Sequence, residues 1–184
     1  DEHLTRCTNA KTQFPDRSSY KVADFTAAEL SDLDAGSWYV EQLALPNAER
    51  QPFLQSLTDA EMAEFISPFE RELYASGNIK IPTLAETLSL AKELTLMVNI
   101  ELKNQPDGVT GLVGAVLKTV QTLKMEDQIL ISSFEHDLLW QVRQKTKKIP
   151  IAVLTDTPIK APITYLRKLK ANAYNLGCYK DYQR

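Results

Sequence analysis

The second half of the sequence alternates amphipathic helical segments with short apolar strands. Strands are predicted at residues 96–102, 128–134, 149–154 and 172–177. Helices are predicted from about Thr83, over 109–123, over 135–146 and from about Pro162 to Lys170. Because neighbouring parallel strands need a crossover connection, usually a helix, this alternation predicts βαβ units and a parallel sheet.

Two architectures produce such an α/β pattern: a doubly wound open sheet and a closed (β/α)8 barrel. About four strands fit either a small open sheet or half of a barrel. An open sheet often carries a glycine-rich phosphate loop after its first strand, and neither GxGxxG nor GxxxxGK[ST] occurs here. The absence of these motifs favours the barrel.

The first part of the chain is rich in turns and carries helix-start signals. Thr26 followed by Glu29, and Thr58 followed by Glu61, have the spacing of capping boxes. The first predicts a short helix over about 24–33, with Gly36 suited to end it. The second predicts a helix over 58–75, which Pro68 should kink or split. The residues expected on one apolar face of that helix are Met62, Phe65, Phe69 and Leu73.

Charge and composition exclude several classes of protein. The formal net charge is −3 and no basic stripe is present, so the footprint of a nucleic-acid-binding protein is missing. The apolar stretches are far shorter than the ~18 residues that span a bilayer, so no transmembrane segment is expected. Cys7 and Cys178 stand far apart without the spacing of a zinc site.

The first strong candidate for chemistry is the strand around Glu101. Alternation along LMVNIELK puts Val98, Ile100 and Leu102 on one face and Asn99, Glu101 and Lys103 on the other. We expect the apolar face to contact helices and the polar face to point into the barrel, near the strand ends where barrel enzymes keep their active sites. There a Glu can hold a hard cation and a Lys can face an anion. An internal ion pair between Glu101 and Lys103 is an equally good explanation.

Other polar groups are weaker candidates. His3 is predicted in a solvated loop, and His136 at the surface near the start of a helix. The basic runs 143–148 and 167–170 lie near helix C-termini, where cations complement the helix dipole, so solvated faces are expected. No Ser nucleophile elbow, HExxH motif or Cys/His pairing is present in the sequence.

Several strings, in order, resemble the glycerophosphodiester phosphodiesterase family. They are DEHLTRCTN, FPDRSSYKVADFTAAELSDLDAGSWY, IPTLAETL, VNIELK, SSFEHDLL and NAYNLGCYKD. The resemblance covers nearly the whole chain except about 40–78. It implies a partial (β/α)8 TIM barrel with the middle strands only, residues 1–184 being a single partial domain. Residues 40–78 would be an inserted loop and helical segment over the catalytic face.

The resemblance also implies a reaction: metal-dependent hydrolysis of a small-molecule glycerophosphodiester to sn-glycerol 3-phosphate and an alcohol. Glu101 matches a family metal ligand for Ca²⁺ or Mg²⁺, and Lys103 matches a group that faces the phosphate. Arg6, like Asp1, matches a motif position beside the active site, and Arg6 is taken as a further substrate-binding residue. Both family histidines would precede Asp1, so the chain is expected to be an internal fragment that is inactive alone.

Two alternatives remain open at this point. One is a catalytically dead barrel homologue that acts as a binding or interaction module, and the other is an unrelated open-sheet binding domain. The compartment is also open between the cytoplasm and the periplasm or exterior.

Overall fold

A computed structural model describes residues 3–55, 58–103 and 110–177. The chain divides into two compact units, Asp1–Pro82 and Thr83–Arg184. Asp1 and Cys178, which the sequence analysis singled out, lie outside the described residues.

The second unit contains the predicted alternation of helices and strands. Its strands are β1 (Val98–Glu101), β2 (Ile129–Ser133), β3 (Ile151–Thr155) and β4 (Ala173–Leu176). Its helices are α6 (Leu84–Glu93), α7 (Leu112–Leu123), α8 (His136–Lys145) and α9 (Pro162–Leu169). The strands form one parallel sheet in the order β1-β2-β3-β4. The prediction of a parallel α/β sheet is confirmed.

The strand order and the core distinguish between the two architectures. Each strand pairs with the next one along the chain, whereas a doubly wound sheet reverses its order at a switch point. The core cluster joins buried residues of α6, α7, α8 and α9 to Ile129 and Ile131 of β2 and to Ile151 and Val153 of β3. Because side chains alternate along a strand, these strand residues share one face. In the described part of this unit the helices therefore cover one face of the sheet, as in a (β/α) barrel.

Arg143, near the C-terminus of α8, departs from the prediction of a solvated basic run. It is buried and donates hydrogen bonds to the carbonyls of Thr146, Ile149 and Lys170 and to Oδ1 of Asn172, at 3.0–3.2 Å. Burial lowers the pKa of its guanidinium. The prediction was wrong here because it considered the helix end alone. Two of the acceptors, Lys170 and Asn172, lie 27 and 29 residues further along the chain, and the other two lie in the loop that follows α8.

The first unit consists of short helices. They are α1 (Ala10–Gln13), α2 (Ala27–Asp32), α3 (Ser37–Ala44), α4 (Asp59–Phe65) and α5 (Pro68–Ala75), with 3-10 turns at Leu4–Arg6, Val22–Asp24, Asn47–Glu49 and Pro52–Leu54. Both predicted capping boxes are present, at Thr26 and at Thr58. The predicted split at Pro68 is also present, because Ser67 caps a separate helix with Pro68 in its first turn.

Gly36 has a different role from the predicted helix end. It precedes α3, which the sequence analysis did not predict, and its φ of −109° is available to any residue. A Cβ at this position would lie 2.8 Å from Cβ of Ile79 and 2.8 Å from the carbonyl oxygen of Tyr74. Close approach of the chain, rather than helix termination, therefore requires glycine here.

The segment 40–78 has a small core of its own. Leu43, Met62 and Ile66 are buried together, with Tyr39 packed against them. Of the predicted apolar face only Met62 is buried, whereas Phe65, Phe69 and Leu73 are 66%, 72% and 42% exposed. The break between α4 and α5 ends the single helical face that the prediction assumed. The placement of 40–78 as an insertion over a catalytic face stays a prediction.

The described helices are short: α7, with 12 residues, is the longest. Among the described residues, no helix combines the length and the apolar character that crossing a bilayer requires.

Candidate active site

Strand β1 separates polar from apolar side chains as predicted. Leu102 is buried in the core that the helices cover, and Val98 and Ile100 pack against that core. Asn99, Glu101 and Lys103 alternate with them and are all exposed. The two charged residues lie at the carboxyl end of β1, the end at which barrel enzymes place their active sites.

Glu101 and Lys103 form an ion pair, with Nζ of Lys103 3.6 Å from Oε1 of Glu101. The two side chains are 35% and 48% exposed, respectively. An ion pair with this exposure contributes about 0–1 kcal/mol to stability, because water screens both charges. The pair therefore contributes little to the stability of this unit.

The register of the sheet places Ser132 beside Glu101. Glu101 pairs with Ser132 across β1 and β2, Ser132 pairs with Ala152, and Ala152 pairs with Ala173. Ser132 and Ala152 are fully buried, but they are adjacent to Ile131 and Val153, which face the core under the helices. Because side chains alternate along a strand, Ser132 and Ala152 therefore lie on the other face of the sheet. These four residues form a row on the face that carries Glu101, and we call it the Glu101 row.

Ser132 is the one residue of this row with a polar side chain that the sequence analysis did not select as a site residue. Its Oγ is buried, and no described residue makes a hydrogen bond with it. The neighbouring Ser133 is fully satisfied: its Oγ donates to the carbonyl of Leu102 at 2.7 Å and accepts from the amide of Glu135 at 2.9 Å. Alternation along β2 places the two serines on opposite faces of the sheet, and the pairing of the strands decides which hydroxyl has partners.

His136 is partly buried and hydrogen-bonded, so the prediction that it lies at the surface was wrong. Its Nε2 lies 2.9 Å from the carbonyl oxygen of Leu154 in β3, and its Nδ1 lies 2.9 Å from Oη of Tyr165 in α9. A carbonyl can only accept, so Nε2 donates to Leu154, while Nδ1 and the Tyr165 hydroxyl share the second hydrogen bond. Burial, followed by the charge of Asp137, raises the pKa of the Tyr165 hydroxyl. His136 thus links α8, β3 and α9.

The remaining predicted residues lie in the first unit. His3 is exposed, as expected, and forms an isolated antiparallel bridge with Lys21. The Arg6 guanidinium lies over the ring of Phe53, 5.4 Å from its centroid. The backbone carbonyl of Arg6 accepts from Nε2 of Gln51 at 3.3 Å. The assignment of Arg6 to substrate binding stays a prediction.

The described residues fit a divalent cation only in part. Ca²⁺ and Mg²⁺ bind oxygen ligands in shells of six or more. Glu101 supplies one carboxylate of the right kind at the sheet edge. Over residues 3–55, 58–103 and 110–177, however, no three His, Cys, Asp or Glu side chains come together in a group that could hold a metal ion. Within these ranges Glu101 is therefore a candidate for one carboxylate ligand, without a second and third such side chain beside it.

Comparison with known proteins places the chain in a family. Residues 1–179 match the glycerophosphoryl diester phosphodiesterase family. A glycerophosphodiester phosphodiesterase of Bacillus altitudinis is 35% identical over 101 residues, which are 54% of this chain and 41% of that protein. Another, of Caldanaerobacter subterraneus, is 26% identical over 176 residues, covering 96% of this chain and 55% of that protein.

Solved structures agree on the fold. An Oleispira antarctica phosphodiesterase in complex with the product sn-glycerol 3-phosphate has a TM-score of 0.66 at 19% identity, over 95% of this chain and 54% of that one. A putative glycerophosphoryl diester phosphodiesterase of Silicibacter pomeroyi has a TM-score of 0.64 at 20% identity, over 95% of this chain and 57% of that one. The chain spans about half the length of these four proteins. With the family matched over residues 1–179, the chain belongs to the glycerophosphoryl diester phosphodiesterase family.

Proposed function

We propose that the intact protein hydrolyses glycerophosphodiesters to sn-glycerol 3-phosphate and an alcohol. The observation that carries this proposal is the family match over residues 1–179. The relatives from Bacillus altitudinis and Caldanaerobacter subterraneus are named glycerophosphodiester phosphodiesterases, and the Oleispira antarctica structure contains the product of such a reaction. The position of Glu101 and Lys103 at the carboxyl end of β1 supports the same assignment.

Among the described residues, we propose Lys103 as the residue that binds the phosphate. Its ammonium is about half exposed and is free to move from Glu101 toward an incoming anion. A phosphodiester carries one negative charge shared by two non-bridging oxygens, and an ammonium with three donors binds such oxygens well. Arg6 is proposed as a second substrate-binding residue on the family resemblance alone.

Glu101 is the proposed ligand for a divalent cation, Ca²⁺ or Mg²⁺. Its carboxylate supplies a hard oxygen donor on the same face as Lys103. When bound, such a cation neutralises charge on the phosphoryl oxygens as the P–O bond breaks. Since Glu101 and Lys103 alone neither complete a cation shell nor transfer protons, we expect the isolated 184-residue chain to be inactive.

The function is tested by measuring release of sn-glycerol 3-phosphate by the full-length protein. Glycerophosphodiesters of choline, ethanolamine and inositol are supplied in turn, first with Ca²⁺ or Mg²⁺ and then with excess chelator. We expect release that stops on chelation and returns when the cation is restored. Activity that is indifferent to chelation would contradict metal dependence. Binding of these substrates without any turnover would support a catalytically dead binding module instead.

A further inference from the structure

The hydroxyl oxygen of Ser132 makes no hydrogen bond with any described residue. Its Oγ is buried, and its side-chain neighbour on β3 is Ala152, which has no polar group. Its backbone carbonyl already accepts from the amide of Leu102 at 2.8 Å. Burying a hydroxyl without a hydrogen bond is unfavourable, so such a group calls for a specific explanation.

The neighbours of Ser132 indicate what would satisfy this hydroxyl. Glu101 is its direct partner in the pairing of β1 with β2, and Lys103 lies two residues further along on the same face. Glu101 and Lys103 are the two groups assigned above to the cation and the phosphate. A neutral donor beside them suits an anionic oxygen, to which a hydroxyl makes a short, charge-assisted hydrogen bond.

We propose that Ser132 is a further substrate-binding residue, whose hydroxyl donates a hydrogen bond to a non-bridging phosphate oxygen of the bound glycerophosphodiester. This inference rests on the proposed function and adds a neutral donor to the charged groups of that site. The row itself supports the choice of Ser132, because Ala152 and Ala173 carry no donor.

The test compares Ser132→Ala with Ser133→Ala in the full-length protein. Both changes remove one buried hydroxyl from adjacent positions of β2. Ser133 already makes two hydrogen bonds, so Ser133→Ala should lower the unfolding midpoint and leave ligand affinity nearly unchanged. Ser132→Ala removes no hydrogen bond to any residue that the structure describes, so its unfolding midpoint should stay at or above that of the wild type.

Ligand affinity is measured by calorimetry with sn-glycerol 3-phosphate, inorganic phosphate and glycerol as separate probes. Ser132→Ala should weaken binding of sn-glycerol 3-phosphate and of inorganic phosphate by about 10- to 100-fold, the effect of one lost hydrogen bond to a charged group. Unchanged affinity for both would overturn the proposal. Weakened binding of sn-glycerol 3-phosphate alone would overturn the assignment to phosphate, since the contact would then be to the glycerol portion.

Two further outcomes separate this inference from the proposed function. If Ser132→Ala unfolds or melts well below the wild type, the hydroxyl has a structural partner in the intact protein and the proposal is overturned. If the wild type releases sn-glycerol 3-phosphate and binds it, but Ser132→Ala binds it equally well, only the role of Ser132 fails. A wild type that neither hydrolyses the diesters nor binds the product overturns both.

Discussion

Glu101 and Ser132 are direct partners across the parallel pairing of β1 and β2, so a charged carboxylate lies beside a buried hydroxyl that no described residue satisfies. One residue earlier, Ile100 pairs with Ile131 on the opposite face, where the helices cover the sheet. A single step along two strands thus separates the packed core from the proposed site. The stability of this unit and its chemistry can therefore be tested with different substitutions.

Arg143→Met should destabilise the second unit. Methionine fills much of the same volume but donates no hydrogen bond, so the carbonyls of Thr146, Ile149 and Lys170 lose the donor that Arg143 supplies, and Oδ1 of Asn172 keeps only the amide of Ile151. We expect a loss of about 2–4 kcal/mol in the free energy of unfolding, measured by denaturant titration. The matched control is Lys145→Met, an exposed position in the same last turn of α8, which should change stability by less than ~0.5 kcal/mol. Equal losses in the two variants would disprove the structural role of Arg143.

Gly36→Ala should destabilise the first unit although its backbone conformation suits alanine. The added Cβ would meet Cβ of Ile79 and the carbonyl oxygen of Tyr74 at 2.8 Å, and relief of that overlap should cost about 1–3 kcal/mol. The comparison is Gly114→Ala, where a Cβ inside α7 has nothing within 4 Å. There the gain in helix propensity should stabilise the protein by about 0.5–1 kcal/mol. Melts in which the two variants shift in the same direction would contradict this reading.

The pH dependence of stability should include a contribution from the capping box at the start of α6. Glu86 accepts hydrogen bonds from the backbone amide and the hydroxyl of Thr83, both at 2.8 Å. Both hydrogen bonds lower the pKa of the Glu86 carboxyl, and the one from the backbone amide has the larger effect. A carboxyl whose folded pKa is lowered stabilises the fold above its unfolded pKa. That contribution is lost as the pH falls below about 4.3 and through the folded pKa.

Glu86→Gln tests this contribution, because glutamine can occupy the same capping position without titrating. Unfolding midpoints are compared between neutral pH and about pH 3, spanning the usual range for glutamate. The wild type should lose more stability over this range than the variant does. Parallel curves for the two proteins would show that the Glu86 carboxylate makes no pH-dependent contribution.

Much of the second unit could be predicted because its signals are local. The alternation of apolar strands and amphipathic helices identified all four described strands, and the parity of β1 assigned Glu101 and Lys103 to the face away from the core. The capping box at Thr58 and the break at Pro68 were likewise readable from neighbouring residues. Each of these features depends on residues only a few positions apart.

The features that were missed depend on distant contacts. The partners of His136 lie 18 and 29 residues away, and those of Arg143 extend to 29 residues away. Alternation places Ser132 and Ser133 on opposite faces, but which of the two hydroxyls has partners depends on strand pairing, which no local pattern encodes. Helix α3 was missed because Gly36 suggested a helix end, whereas its actual constraint comes from Tyr74 and Ile79.

The central claim is that Glu101 is a ligand of a divalent cation in a phosphodiesterase, and that its role is not limited to the ion pair with Lys103. Glu101→Gln keeps the shape of the side chain while removing one charge from the cation's ligands, and cation affinity depends on that charge. The Lys103 side chain is 48% exposed, so loss of the ion pair should cost at most about 1 kcal/mol of stability. The matched control is Glu93→Gln, an exposed position at the end of α6.

The most direct measurement is turnover of a glycerophosphodiester by the full-length protein as a function of Ca²⁺ or Mg²⁺ concentration. We predict that Glu101→Gln lowers turnover by about 100-fold or more at low cation concentration, recovers part of it at high concentration, and unfolds close to the wild type, while Glu93→Gln behaves as the wild type. A Glu101→Gln protein whose turnover matches the wild type at every cation concentration, or whose loss of activity does not respond to the cation, would contradict the assignment of Glu101 as a metal ligand.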